Sequence, residues 1–171
     1  MAQTYTSSAT SVNRSKLPAV YRRASFTPSS PFVMDYGCGK YTDHIREYLK
    51  GYGKMLYPYD PYNQPDVVNR HTLEFLDWAS DNHCEVDVVC SNVLNVIDSE
   101  HELEIIARNI RNIVRITGGK AFITVYEGDR SGIGRQTGKD QYQRNEKLRS
   151  YLRLFPNGKI EHGMIVIRKE C

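Results

Sequence analysis

Short apolar runs alternate with amphipathic stretches along the chain from residue 32 onward. An apolar run bounded by turn residues is typical of a buried strand. Four such runs predict strands at 32–35, 55–59, 86–90 and 121–126, the third of them continuing toward residue 95. Val67 and Val68 indicate one further brief strand.

Helical periodicity separates these runs. Thr42 is a candidate N-cap for a helix that Gly51 ends, and 73–79 predicts a shorter helix. Ser99 and Glu102 have the spacing of a capping box, which begins the longest helix. Its apolar stripe consists of Leu103, Ile106, Ala107, Ile110, Ile113 and Val114.

The last third of the chain is less regular. A Gly-rich polar loop at 128–138 precedes a helix predicted at 140–149. Two apolar runs, 151–155 and 164–167, predict an antiparallel strand pair with its turn at Asn157-Gly158. Strands that alternate with helices predict an α/β fold, a Rossmann-like three-layer sandwich. Its mostly parallel sheet would end in the antiparallel C-terminal strand pair.

Composition narrows the class of protein. The 171 residues are 40% hydrophobic and 25% charged, with a mean hydropathy of −0.55, which is typical of a globular domain. Neither a membrane-length apolar run nor a secretory leader is visible, so we expect a cytoplasmic protein without a membrane partner. The four cysteines lack C-x-x-C spacing and a nearby His cluster, which predicts neither a metal site nor disulfides.

Charge is segregated along the sequence. Residues 1–31 carry +4 and are predicted to form a basic, flexible N-terminal arm before a domain at 32–171. The segment 32–129 carries −7, whereas 130–169 carries +7. An acidic body between basic ends fits a polyanionic partner, although a solvated basic surface gives the same pattern.

Ligands of such sheets bind beyond the carboxyl ends of the strands, so the residues after each strand are candidates. Gly37 and Gly39 let a backbone approach a ligand closely, and Asp35 beside them suits an amino group better than a phosphate. Asp60 ends the second strand, where a carboxylate can accept from both ribose hydroxyls. A tight turn at the glycines and a turn-forming Asp before Pro61 are the alternatives.

Three segments together resemble class I S-adenosylmethionine-dependent methyltransferases. They are Val-Met-Asp-Tyr-Gly-Cys-Gly at 33–39, the strand-end Asp60, and Asp-Val-Val-Cys-Ser-Asn-Val-Leu-Asn-Val-Ile at 87–97. The resemblance, closest to small methyltransferase-like proteins of bacteria and phages, spans about 32–127 and extends weakly to the C-terminal strand pair. It implies that the cofactor S-adenosyl-L-methionine contacts Asp35, Gly37, Cys38, Gly39, Asp60, Ser91 and Asn92.

The sequence departs from this family in three respects. Tyr41 replaces a third glycine of the loop, and the D/N-P-P-Y motif of amino-methylating DNA enzymes is absent. Because 26 residues separate Asp60 from Asp87, too few for a strand and two full helices, we expect the adenine side of the domain to be trimmed.

The resemblance places the methyl acceptor beside the later strand ends. The candidate catalytic residues there are Asn95, Glu127 and Asp129. The candidate substrate-binding residues are Tyr126, Arg130, Arg135 and Tyr142, in and beside the loop at 128–138. The alternative is that this loop is solvated and mobile and binds no substrate.

The predicted function is methyl transfer to an unidentified acceptor. The basic ends favour nucleic acid slightly over a small molecule. A non-catalytic nucleic-acid-binding module and an enzyme that degrades S-adenosylmethionine remain the alternatives. Because the domain is small, specificity could come from a homo-oligomer or a partner subunit.

Overall fold

Strands and helices alternate through the first two thirds of the chain, in a computed structural model that describes residues 14–23, 26–138 and 141–169. In chain order these are β1 (Phe32–Tyr36), α1 (Asp43–Lys50), β2 (Met55–Tyr59), α2 (Asp66–Asp81), β3 (Asp87–Ser91), α3 (Glu100–Thr117) and β4 (Lys120–Thr124). The later strands are β5 (Arg135–Gly138), β6 (Gln141–Gln143), β7 (Lys159–Glu161) and β8 (Met164–Arg168). Three short 3-10 helices lie at Ala19–Arg22, Leu94–Val96 and Leu148–Leu154.

Six strands form one sheet in the order β2-β1-β3-β4-β8-β7. The first four are parallel, whereas β8 is antiparallel to β4 and to β7. Strands β5 and β6 form a separate hairpin. The predictions of an α/β fold, a mostly parallel sheet and an antiparallel C-terminal pair are therefore confirmed.

Each face of the sheet is covered because side chains alternate along every strand. In β3, Val88 and Cys90 pack with apolar residues of α2 and α3, whereas Val89 points to the opposite face. That opposite face is covered by α1 together with the 3-10 helix Ala19–Arg22. None of the helices in the described part of the chain is both long and apolar enough to cross a membrane.

The N-terminal arm contributes to this second layer. Val20 and Tyr21 are fully buried, and the Phe26 ring meets Phe122 of β4 edge-on at 5.1 Å. The sequence of residues 12–23 predicts a short helix with Leu17, Val20 and Tyr21 inward. Val20 and Tyr21 are buried as predicted, and residues 12 and 13 lie outside the described residues. The domain boundary at residue 31 stays a prediction.

Two elements of the first part differ from the predictions. The prediction of a strand at Val67 and Val68 was wrong, because both residues lie in the first turns of α2, which starts after Pro65. Helical spacing decides this, since Asn69, Thr72, Phe75, Leu76 and Ala79 form its buried side. The strand predicted toward residue 95 ends at Ser91, because Asn92 adopts a left-handed φ of 57°.

The C-terminal third shows further corrections. The helix predicted at 140–149 is wrong, because β6 occupies Gln141–Gln143 and the next helical residue is Leu148. The strand predicted at 151–155 belongs to the 3-10 helix Leu148–Leu154. The strand that pairs with β8 is β7, and their turn lies at 162–163, where both residues have positive φ, rather than at Asn157-Gly158.

Candidate functional site

A cleft of about 1110 Å³ opens beyond the carboxyl ends of the four parallel strands. Its walls include residues that directly follow β1, β2 and β3, as is usual for ligand sites of open α/β sheets. The arm and the β5–β6 hairpin complete two further walls. Since sites for small molecules occupy about 300–1,000 Å³, this cleft has room for a cofactor and part of a second ligand.

The turn between β1 and α1 passes under this cleft. Gly37 and Gly39 have φ values of 78° and 72°, a region that disfavours other residues. A Cβ on Gly37 would collide with the Val93 side chain, so that glycine is needed for close packing. Space beside Gly39 is open, and its backbone amide donates to Asp60 Oδ2 at 2.9 Å.

Asp35 lies behind this turn rather than in the cleft. It is 2% exposed, and its Oδ2 accepts a hydrogen bond from the Tyr21 hydroxyl at 2.6 Å. Burial raises the pKa of Asp35 to about 7, although the Tyr21 hydrogen bond opposes this shift; the Asp60 charge adds to it. The carboxyl group expected to approach an amino group is thus capped by the arm.

Asp60 borders the cleft but is occupied by the protein itself. Its Oδ1 accepts from the amides of Tyr62 and Asn63, both at 3.0 Å. Its Oδ2 accepts from the Gly39 amide and from the Asn63 side-chain amide at 3.0 Å. A carboxylate has about four acceptor positions, so a ribose hydroxyl would have to displace one of these donors.

Residues that sequence reasoning missed hold the turn at Asp60. Asn69 exchanges two hydrogen bonds with the Asp60 backbone, at 2.8 and 3.0 Å. Gln64 donates to the Gly39 carbonyl at 2.6 Å, so the glycine turn and the Asp60 turn are joined at two points. The periodicity of α2 could have revealed Asn69, because a polar residue on a buried helix face needs a partner.

Cys38 also lies in the glycine turn, with its amide directed to the Tyr59 carbonyl at 3.3 Å. Burial, together with the charges of Asp35 and Asp60, raises the pKa of its thiol well above the ordinary value. The reactive thiolate is therefore suppressed, and Cys38 contributes backbone and volume to the cleft wall. The described residues contain no group of three or more His, Cys, Asp or Glu side chains that could hold a metal ion.

Ser91, Asn92 and Asn95 all line the cleft after β3. The Ser91 hydroxyl pairs with Thr124 Oγ1 at 2.9 Å, and the Asn92 amide donates to the Thr124 carbonyl. Asn95 is buried and donates to Gln143 Oε1 at 3.1 Å, which attaches the β5–β6 hairpin to the sheet.

The two predicted acids after β4 lie in different places. Glu127 accepts from the Leu148 amide at 2.7 Å and from Arg130 Nε at 2.6 Å, and neither Glu127 nor Arg130 lines the cleft. Asp129 does line it; hydrogen bonds from Ser131 lower the pKa of its carboxyl. Tyr126, Arg135 and Tyr142 also lie in the cleft wall.

Arg144, one of the basic residues of the segment 130–169, is buried. Its guanidinium donates to Glu100 and Glu146 at 2.6 and 2.8 Å. The same group donates to the Ile97 and Asp98 carbonyls, so it ties the hairpin to the segment before α3. The residue stabilises the fold and is unavailable to a ligand.

The arm supplies wall residues that sequence reasoning did not connect with the site. Lys16, Leu17, Pro18, Ala19 and Arg22 all line the cleft. The basic composition of the arm predicted a polyanionic partner. The position of the arm over the glycine turn could not be predicted, because it depends on tertiary packing.

No family model, curated protein or solved structure matches this chain.

Proposed function

We propose that this protein is a methyltransferase with a Rossmann-like fold that uses S-adenosyl-L-methionine. The observation that carries the proposal is the joined pair of turns, Gly37–Gly39 and Asp60–Asn63, beneath a cleft at the carboxyl ends of parallel strands. The strand order, with its antiparallel end, supports the same class of protein. One helix, α2, lies between β2 and β3, which agrees with a trimmed adenine side.

The cleft fits the cofactor in part. Its volume and the open space beside Gly39 suit an adenosyl amino acid. Asp60 fits on the condition that a ribose hydroxyl replaces the Asn63 side-chain amide, because the three backbone donors are fixed by the two turns. Asp35 does not fit as a direct contact, and we assign it to holding the arm.

The bound cofactor would supply an activated methyl group for an in-line displacement. The chain's own task would be alignment and exclusion of water. Asn95 would fix the hairpin that forms the acceptor wall, and Asp129 is the predicted acid that borders the cleft. The lowered pKa of Asp129 makes it a weak base, so we propose an acceptor that needs no early proton removal.

Occupation of the Asp60 carboxylate favours a second candidate, a non-catalytic binding module of the same fold. All four hydrogen bonds to that carboxylate come from the protein, and the Val93 side chain packs on Gly37. In such a module the turns would be structural, and the cleft would bind an acceptor without chemistry.

Titration calorimetry of the full chain with S-adenosylmethionine separates the two candidates. The methyltransferase proposal expects saturable binding with one site per chain, and the binding module expects no heat of binding. Tritium in the cofactor's methyl group then distinguishes transfer from breakdown. Label that appears in a macromolecular fraction or modified small acceptor supports transfer, whereas label released without an acceptor contradicts it.

A further inference from the structure

We propose that the cleft takes a segment of single-stranded nucleic acid, with phosphates on the arm side and a base directed toward the tyrosines. This inference rests on the proposed function, because it names the class of methyl acceptor for the same cleft. It starts from a contrast between two sets of basic residues that the sequence does not distinguish.

Four of the ten basic residues in the segment 130–169 are paired within the fold. Arg130, Arg144, Arg153 and Arg168 all form ion pairs with glutamates, at distances of 2.6 to 3.2 Å. Two of the glutamates, Glu100 and Glu127, lie outside the segment, so pairing with them lowers its net charge from +7 to +5.

The basic residues of the arm and of the turn between β1 and α1 differ from these paired arginines. Among the described residues, none of the ion pairs includes Arg14, Arg22 or Lys40, and all three are exposed. Arg14 lies 4.6 Å above the Tyr41 ring and donates to its hydroxyl at 2.7 Å, while Lys40 Nζ lies 5.7 Å from the same ring. Two cationic side chains thus contact Tyr41, which has no negative charge that would neutralise them.

These cations lie at the cleft. Lys40 and Arg22 are both wall residues, and Tyr41 stands in the wall beside them. Cations without carboxylate partners at the entrance of a cleft attract an anionic ligand. Repeated phosphates, rather than one anionic group, match cations that lie on both the glycine turn and the arm.

Aromatic side chains are available in the other walls. Tyr62 and Tyr126 line the cleft and are 54% and 63% exposed, respectively. Exposed tyrosines in a basic groove are the platforms on which unpaired bases stack. Three acids, Asp60, Glu102 and Asp129, line the cleft. The Asp60 carboxylate is covered by four donors of the two turns, whereas Glu102 and Asp129 would repel phosphates, which orients the backbone toward the arm.

A single strand fits this arrangement better than a duplex. A base paired within a helix cannot enter a cleft unless it is first extruded, which costs unstacking energy. An acidic peptide would use the same cations but would gain nothing from the tyrosines. The two partners therefore predict different responses to substitution of Tyr126.

The test measures anisotropy of a fluorescein-labelled single-stranded oligonucleotide with the full chain at several salt concentrations. The double variant Arg22→Gln/Lys40→Gln should weaken binding about tenfold or more and flatten the salt dependence, since each lost phosphate contact removes about 0.7 from the logarithmic slope. The control Arg149→Gln/Lys159→Gln removes equal charge from exposed positions outside the cleft and outside the described ion pairs, and it should change affinity less than about twofold.

A third variant tests the stacking side. Tyr126→Leu should weaken oligonucleotide binding about tenfold with the salt slope unchanged. Equal weakening by the control pair, absence of oligonucleotide binding, tighter binding of a duplex, or indifference to Tyr126→Leu would each overturn the inference. Calorimetry with S-adenosylmethionine on the same samples is independent: cofactor binding without oligonucleotide binding contradicts this inference and leaves the proposed function standing.

Discussion

Asp60 links the two turns of the candidate site. Of the four hydrogen-bond donors to its carboxylate, a ligand can replace one. The Asn63 side-chain amide is that donor, because the other three are backbone amides. If ribose takes its place, the exchange costs little, since one hydrogen bond to a charged acceptor replaces another.

We therefore predict opposite effects of two neighbouring substitutions on cofactor affinity. Asp60→Asn should weaken S-adenosylmethionine binding by about tenfold or more, because charge-assisted hydrogen bonds are worth about 1.5–3 kcal/mol. Asn63→Ala should bind as tightly as the wild type or more tightly, since a competing donor is gone. Calorimetric titration measures both.

Asn69→Ala is the matched control, because Asn69 supports the Asp60 backbone without touching its carboxylate. If Asn69→Ala lowers affinity as much as Asp60→Asn, Asp60 acts by shaping the turn. Wild-type affinity in Asp60→Asn would remove the ribose assignment altogether.

Asp35 makes stability depend on pH. Its pKa of about 7 in the folded protein lies above the ordinary value of 3.8, so the folded state holds a proton that the unfolded chain releases. Its contribution to stability is complete below the ordinary pKa and is lost as pH rises through 7. The difference in unfolding free energy between wild type and Asp35→Asn should change by about 2 kcal/mol between about pH 5.5 and about pH 8.5.

Urea unfolding at a series of pH values measures this difference. Tyr21→Phe removes the donor to the ionised carboxylate, so it should destabilise the protein more at the alkaline end than at the acidic end. A wild-type curve parallel to that of Asp35→Asn across the range would show that Asp35 keeps its ordinary pKa.

At the scale of elements, local sequence patterns predicted those helices and strands that local interactions determine. The α3 stripe and its Ser99 cap are both present, the latter as a hydrogen bond from the Glu102 amide to Ser99 Oγ at 3.3 Å. Buried strands β1 to β4 followed from their apolar runs. Gly37 and Asp60 were likewise recognised from their positions at strand ends.

The elements after β4 could not be predicted in this way because distant polar contacts hold them. Gln143 is buried through Asn95, 48 residues away, so the polar character of β6 resembled a solvated helix face. Tyr151 and Leu154 have apolar side chains compatible with a strand, but they pack as a 3-10 helix against the core formed by α3. The hydrogen bond from the Tyr21 hydroxyl to Asp35 was likewise not predicted, because no local sequence pattern indicates it.

Arg144 provides a test of this explanation for the hairpin. Its side chain is 7% exposed and pairs with Glu100 and Glu146. Arg144→Ala should cost about 3 kcal/mol of unfolding free energy, because it leaves the largely buried Glu146 carboxylate and the Ile97 and Asp98 carbonyls without their donor. Chemical denaturation gives this value.

Arg130→Ala is the comparison, since the Arg130 side chain is 66% exposed in its pair with Glu127. We expect a loss of about 1 kcal/mol or less there. Similar small losses in both variants would mean that the Arg144 network does not hold the hairpin.

The molecule as a whole uses its charges in two ways. Four C-terminal arginines, Arg130, Arg144, Arg153 and Arg168, are paired within the fold, whereas Arg22 and Lys40 line the cleft outside the described ion pairs. Both basic ends looked equivalent in the sequence, because the net charge of a segment does not show which side chains pair in the fold. The arm therefore has two roles in this account, as a structural layer over the sheet and as a wall of the cleft.

Two glycines with the same backbone conformation allow the central claim, that the cleft binds S-adenosylmethionine, to be tested directly. Gly39 and Gly53 have φ values of 72° and 68°, and each has open space where a Cβ would stand. Gly39 lines the cleft, whereas Gly53 lies outside it in the turn before β2. Alanine at either site brings the same strain, about 1 kcal/mol.

The decisive measurement is calorimetric titration of wild type, Gly39→Ala and Gly53→Ala with S-adenosylmethionine. We predict one site per chain in the wild type, unchanged affinity in Gly53→Ala, and at least about tenfold weaker binding in Gly39→Ala, equivalent to about 1.4 kcal/mol. Absence of binding to the wild type, or equal affinity of the two variants, would contradict it.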